Sequence, residues 1–115
     1  MIMPLGDRDA GTLLMHEAAA DFPAEAGVTS GRMFNGTGLR VSAGFFAFVS
    51  SIGRLVVKLP QHEAHAMIDS GRAEPVVMGK RTMREWVSLP PPEHGDLSGW
   101  RAALQAAHAF VTAED

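Results

Sequence analysis

The sequence predicts an α+β domain: a mostly antiparallel meander sheet with three helices. Three observations carry this. Apolar residues recur at three- and four-residue steps in three separate segments. Between those segments the repeat changes to two residues. The connections between the two-residue repeats are short enough only for antiparallel neighbours. The order is helix, three or four strands, helix, one or two strands, helix, read as one domain over residues 1–115 with a core of about 10–112.

The first helix is expected from Asp7 to Phe22, where Leu13, Leu14, Ala18 and Phe22 stand opposite Arg8, Glu17 and Asp21. Pro23 lies beyond its end and Gly27 in the following turn. The segment "TGLRVSA" then sets Leu39 and Val41 against Arg40 and Ser42, and "GFFAFVS" follows a Ser42-Ala43-Gly44 turn. After Ser50-Ser51-Ile52-Gly53, "GRLVVKL" sets Leu55, Val57 and Leu59 against Arg54, Val56 and Lys58. Strict alternation puts Phe46 and Phe48 on one side of the middle strand and Phe45, Ala47 and Val49 on the other. Such a strand is apolar on both faces and belongs at the centre of a sheet.

Pro60 can begin a helix without losing a needed donor, and "QHEAHAMIDSG" ends at Gly71, a natural C-terminal cap. Ala64, Met67 and Ile68 form its buried stripe. "EPVVMGKRTMREWVSLPPP" reads as two extended segments around a Gly79-Lys80-Arg81 turn, stopped by prolines that cannot donate to a ladder. The last helix has Asp96 or Ser98 as cap and Leu97, Trp100, Leu104, Ala107 and Val111 along one stripe.

Composition narrows the chemistry. The 115 residues include no cysteine, which removes disulfides and thiolate chemistry and agrees with a reducing compartment. The N-terminal stretch has no basic n-region, and no run approaches the roughly 20 apolar residues of a membrane-spanning helix. A cytoplasmic protein with no membrane partner is expected. The net charge of −3 disfavours non-specific nucleic-acid binding across the surface as a whole.

Individual motifs exclude more than they assign. Gly36-Thr37-Gly38 opens a strand, whereas a phosphate loop must end a strand and open a helix. Gly36 and Gly38, with Asn35, are therefore read as turn and close-approach positions. "HEAH" places His62 and His65 three apart, not the four a zinc-protease helix needs, and no third ligand is evident. No metal, cofactor or catalytic constellation is expected. "NGT" at Asn35 to Thr37 fits a glycosylation acceptor, a reading that falls with the missing signal peptide. Met33, Met67, Met78 and Met83 are read as core fillers.

One constellation remains. Alternation turns Arg40, Arg54 and Lys58 away from the helices and puts Arg84 and Trp86 on the side opposite Val87 and Leu89. Together with Lys80 and Arg81 they form a candidate interaction surface of basic residues around one large aromatic. A solvated sheet face is the plain account of it; Trp and Arg are also favoured interface anchors.

The run "GVTSGRMFNGTGLRV", followed by "FFAFV", "GRLVVKLP", "SGRAEPVVMGKRTMREWVSLP" and "WRAALQAAHAFV", resembles the N-terminal domain of the TfoX/Sxy competence-regulator family. The resemblance implies a curved antiparallel sheet with packed helices, in the MmcQ/YjbR-like group. Met33-Phe34 with Gly36 and Gly38, Lys58-Leu59-Pro60, Gly71, and Met83 with Glu85-Trp86 are the matching positions. The family usually has glycine after the Met-Phe pair. Asn35 stands there, and a positive φ is expected of it. Members with a second, C-terminal domain regulate competence genes together with other transcription factors, and this chain ends at Asp115, short of that domain. The resemblance implies a non-enzymatic regulatory module with a protein partner, or a homodimer. The alternative is direct nucleic-acid binding through the basic and aromatic residues, and a small-molecule enzyme is a distant third.

Overall fold

The computed structural model describes residues 6–33, 36–42 and 44–113. Phe34 and Asn35 lie outside these, and with them the expectation of a positive φ at Asn35. Helix α1 spans Asp7–Ala19, followed by strands β1 (Thr29–Met33), β2 (Gly36–Val41), β3 (Gly44–Val49) and β4 (Leu55–Lys58). Helix α2 (Gln61–Asp69), strands β5 (Glu74–Met78) and β6 (Arg81–Leu89), and helix α3 (Ser98–Ala113) complete the order, with one-turn 3₁₀ segments at Ala24–Ala26 and Glu93–Gly95. The α+β meander expected from the sequence is the fold observed. All six strands form one antiparallel sheet in the order β1-β2-β3-β4-β6-β5.

β1 has no apolar alternation to announce it. It reads Thr-Ser-Gly-Arg-Met, and as an edge strand it is mostly exposed. Its pairing with β2, from Thr29 opposite Arg40 to Met33 opposite Gly36, is what makes it a strand.

The helices cover one face. Leu39, Val41, Phe46, Ala47, Val49, Leu55, Val57, Val87 and Leu89 meet Met15, Ala18, Ala64, Leu97, Trp100, Leu104, Ala107 and Val111 in a single core. The stripe expected of the last helix is buried: Trp100, Leu104, Ala107 and Val111 on α3, and Leu97 just before it. Asp96 Oδ1 accepts the Ser98 N–H at 3.0 Å, occupying one of the donors left open at the start of α3. That backbone hydrogen bond holds the Asp96 carboxyl below the usual carboxylate range.

Two sequence expectations are corrected here. In α1, Leu13 is 60% exposed, while Met15 is fully buried. The buried face is Gly11, Met15 and Ala18, because a Cβ on Gly11 would stand 2.7 Å from Val49 Cγ1 and 3.1 Å from Gly53 Cα. The helix seats where it carries no side chain, and that rotation turns Leu13 outward. In β3 the alternation breaks. Leu39 pairs with Ala47 but Arg40 pairs with Phe45, so Phe46 is an extra residue in the ladder. Phe46 turns into the core beside Ala47, and Phe45 and Phe48 share the outer face.

That outer face is built on missing side chains. A Cβ on Gly38 would meet Phe45 Cδ1 at 2.8 Å and the Ala47 carbonyl at 3.0 Å, and one on Gly31 would meet Phe45 Cζ at 3.2 Å. The Phe45 ring lies across both glycines, and the Arg40 guanidinium sits 5.2 Å from its centroid.

Among the described residues no helix is long and apolar enough to cross a membrane. Gly38→Ala is expected to destabilise the domain by about 1–3 kcal/mol through overpacking against the Ala47 backbone. Gly36→Ala, whose added Cβ would stand 3.3 Å from the Arg8 side chain and an ordinary 3.8 Å from the Val49 carbonyl, is expected to cost less. Urea unfolding of the two variants measures the difference.

Candidate functional site

β5 and β6 begin their pairing regularly, with Glu74 opposite Ser88 and Pro75 opposite Val87. The next pair is Val76 with Met83. Arg84, Glu85 and Trp86 therefore have no partner on β5. Pro75 has no N–H to give the ladder, which makes this the place where pairing can lapse. On its other side β6 stays bound to β4, with Lys58 opposite Trp86 and the Glu85 carbonyl accepting the Leu59 N–H at 2.8 Å. β4 ends at Lys58, so the hairpin from Val76 to Met83 runs past the sheet as a two-stranded arm. Its tip is a two-residue turn, Gly79-Lys80, with Gly79 at φ 63° as primed hairpin turns require.

The bulge and the arm enclose a cleft of about 730 Å³. Lys58, Lys80, Arg81, Arg84 and Trp86 line it, joined by Gln61, Thr82, Met83 and Glu85. Four of the ten Lys and Arg residues of the chain lie here, against one of its thirteen Asp and Glu residues. A protein of net charge −3 thus keeps a cationic cleft. Trp86 is half-buried, its ring packed on Phe48 with centroids 5.7 Å apart and planes at 52°. Trp86 thus both packs on the sheet and lines the cleft.

Lys58 also reaches beyond the cleft: its ammonium lies 5.9 Å from the Phe110 ring on α3. Arg40 is not in the cleft; it lies over Phe45 between β2 and β3. Arg54 stands apart as well. Its Nε donates to Ser88 Oγ at 2.7 Å, its Nη2 donates to the Ser88 carbonyl at 3.0 Å, and Glu74 lies 3.6 Å away. This guanidinium ties β6 to the loop before β4. Gln61, Thr82 and Glu85 carry no mark in the sequence as cleft residues, because the bulge that collects them is a register effect.

The histidines do not converge. His65 pairs with Asp69 at 3.3 Å on the exposed side of α2. His108 packs between Phe22 and Phe46 with its Nε2 at 2.9 Å from the Ala26 carbonyl. Among the described residues no group of three or more His, Asp or Glu side chains is placed to hold a metal ion.

The TfoX N-terminal domain family model matches residues 21–111, and the chain belongs to that family. The match begins after α1 and takes in the whole sheet, the cleft, α2 and nearly all of α3. No curated protein and no solved structure gives a significant match.

Two measurements follow from this geometry. Iodide is expected to quench tryptophan fluorescence more strongly than caesium, because the cleft draws anions to Trp86; Trp86→Phe should abolish the difference, since Trp100 is only 2% exposed. Arg54→Ala is expected to lower stability by about 1–2 kcal/mol in urea unfolding by removing charge-assisted hydrogen bonds from Ser88.

Proposed function

We propose that this TfoX N-terminal domain is a non-enzymatic regulatory module that docks an acidic segment of a partner protein in the cationic cleft at Trp86. The family points to competence-related regulation as the setting. The observation that carries the docking site is that Lys58, Lys80, Arg81 and Arg84 line one cleft together with a half-buried tryptophan. Arg and Trp together supply the bidentate carboxylate recognition and the desolvated anchor on which hot spots of protein interfaces are built. Segregated charge also speeds encounter with an acidic partner, while the acidic remainder of the surface repels it elsewhere.

Direct binding of single-stranded nucleic acid is the second reading, and the same tryptophan favours it. An indole that shares a cleft with four cations suits a stacked base with its phosphates nearby. The two readings differ in salt dependence. Four phosphate contacts give a log–log slope of about −3 for a single strand.

Co-purification from the native cell tests the first reading. Arg84→Glu and Trp86→Ala are each expected to lower partner affinity about tenfold or more at unchanged secondary structure. A partner retained by the double variant overturns it. Fluorescence titration with a single-stranded oligonucleotide at low salt tests the second, and an unchanged Trp86 signal rules it out.

A further inference from the structure

α2 packs on β5 and β6, and α3 packs on β3 and β4, so the two helices part over the sheet. Between them lies a groove of about 630 Å³ with Leu59, Met67, Leu89, Trp100, Ala103 and Ala106 on its apolar lining. Ala66, Gly71, Gly99 and Ala102 add little bulk, which leaves the groove open to an inserted side chain. Its polar members are mainly acidic: Glu63, Glu93 and Asp96. Arg72 is the cation among them, and its Nε donates to Ser70 Oγ at 2.9 Å. The groove therefore suits an occupant with an apolar point and positive charge just behind it.

The arm has that composition. Val77 and Met78 are 59% and 44% exposed, so Met78 is not the core filler that its residue type suggests. They are neighbours on β5 and project to opposite faces of the hairpin. Lys80 in the turn and Arg81, opposite Met78, are both exposed. Each face of the tip thus presents one exposed apolar side chain, and Met78 shares its face with Arg81.

We infer that the arm tip of one copy inserts into the α2–α3 groove of a second copy, and that reciprocal insertion closes a two-fold dimer. Val77 and Met78 leave water on the apolar lining, while Lys80 and Arg81 meet Glu63 and Glu93. Lys80 and Arg81 also line the Trp86 cleft. The dimer withdraws two of the four cleft cations, so self-association and partner docking compete. The inference needs only the tip and the groove, and it stands independently of what the cleft binds.

Sedimentation of the full chain from about 5 to about 500 μM is expected to show a reversible monomer–dimer equilibrium, as a small contact made twice allows. Met78→Asp and Val77→Asp, both at exposed positions, should raise the dissociation constant at least about tenfold with unchanged circular dichroism. Charge exchange tests the pairing itself. The Lys80→Glu/Arg81→Glu variant and the Glu63→Lys/Glu93→Lys variant should each be monomeric alone and should form a heterodimer when mixed, since each tip then meets a groove of opposite charge. A wild-type chain that stays monomeric over the whole range overturns the inference. So does a dimer indifferent to Met78→Asp, or a mixture that regains no dimer mass. Trp86→Ala is expected to leave the dimer intact, which separates this result from failure of the cleft to bind a partner.

Discussion

The lapse in pairing between Pro75 and Val76 is the constraint on which the functional surface depends. A proline in β5 withholds one donor, and β6 runs three residues further before the ladder resumes. Those residues are Arg84, Glu85 and Trp86. Because the Glu85 carbonyl is claimed by Leu59 on the other side, β6 stays in the sheet while β5 is displaced along it. The hairpin then leaves the sheet as an arm, and the cleft forms where the two part. α2 starts directly after Pro60 and packs against β5 and β6, which gives the departing hairpin a support.

The rest of the sheet relies on the opposite device, close approach. Gly38 and Gly31 leave room for the Phe45 ring, and Gly11 lets α1 descend onto Val49 and Gly53. At both places the absent Cβ is filled by a neighbour, so these glycines act through space and not through unusual φ. Gly53 does both: its φ is 80°, and an added Cβ would stand 2.8 Å from the Asp7 carbonyl. With Phe46 bulged into the core, the sheet presents a packed face to the helices and a thinner layer of Phe45, Phe48 and Trp86 on the other side.

Charge is distributed with the same asymmetry. The cleft gathers cations in an acidic protein, and the α2–α3 groove is mainly acidic. Neither follows from membership of the TfoX N-terminal domain family, since a fold positions sites without fixing what they bind. What supports a docking role is local: a half-buried aromatic packed on Phe48, four cations lining the same cleft, and a strand bulge that forms it.

Periodicity alone located the helices, the central meander and most of the core, because a buried stripe must repeat with its element, but in α1 it chose Leu13 where Met15 is buried. The Phe45 to Val49 run marked the centre of the sheet, and Leu97 through Val111 marked the inward face of α3. The residues "GKRTMREW" could be recognised as basic and aromatic, and five of the seven surface candidates do line one cleft. Strict alternation, however, says nothing about where a ladder skips. It misassigned Phe46 to the same face as Phe48, left Gln61, Thr82 and Glu85 unmarked, and grouped Arg40 and Arg54 with residues they do not meet. Register, glycine contacts and the end of β4 are properties of two chain segments at once. Only the tertiary structure decided them, because which residue faces which is set by pairing across the sheet and not by order along the chain.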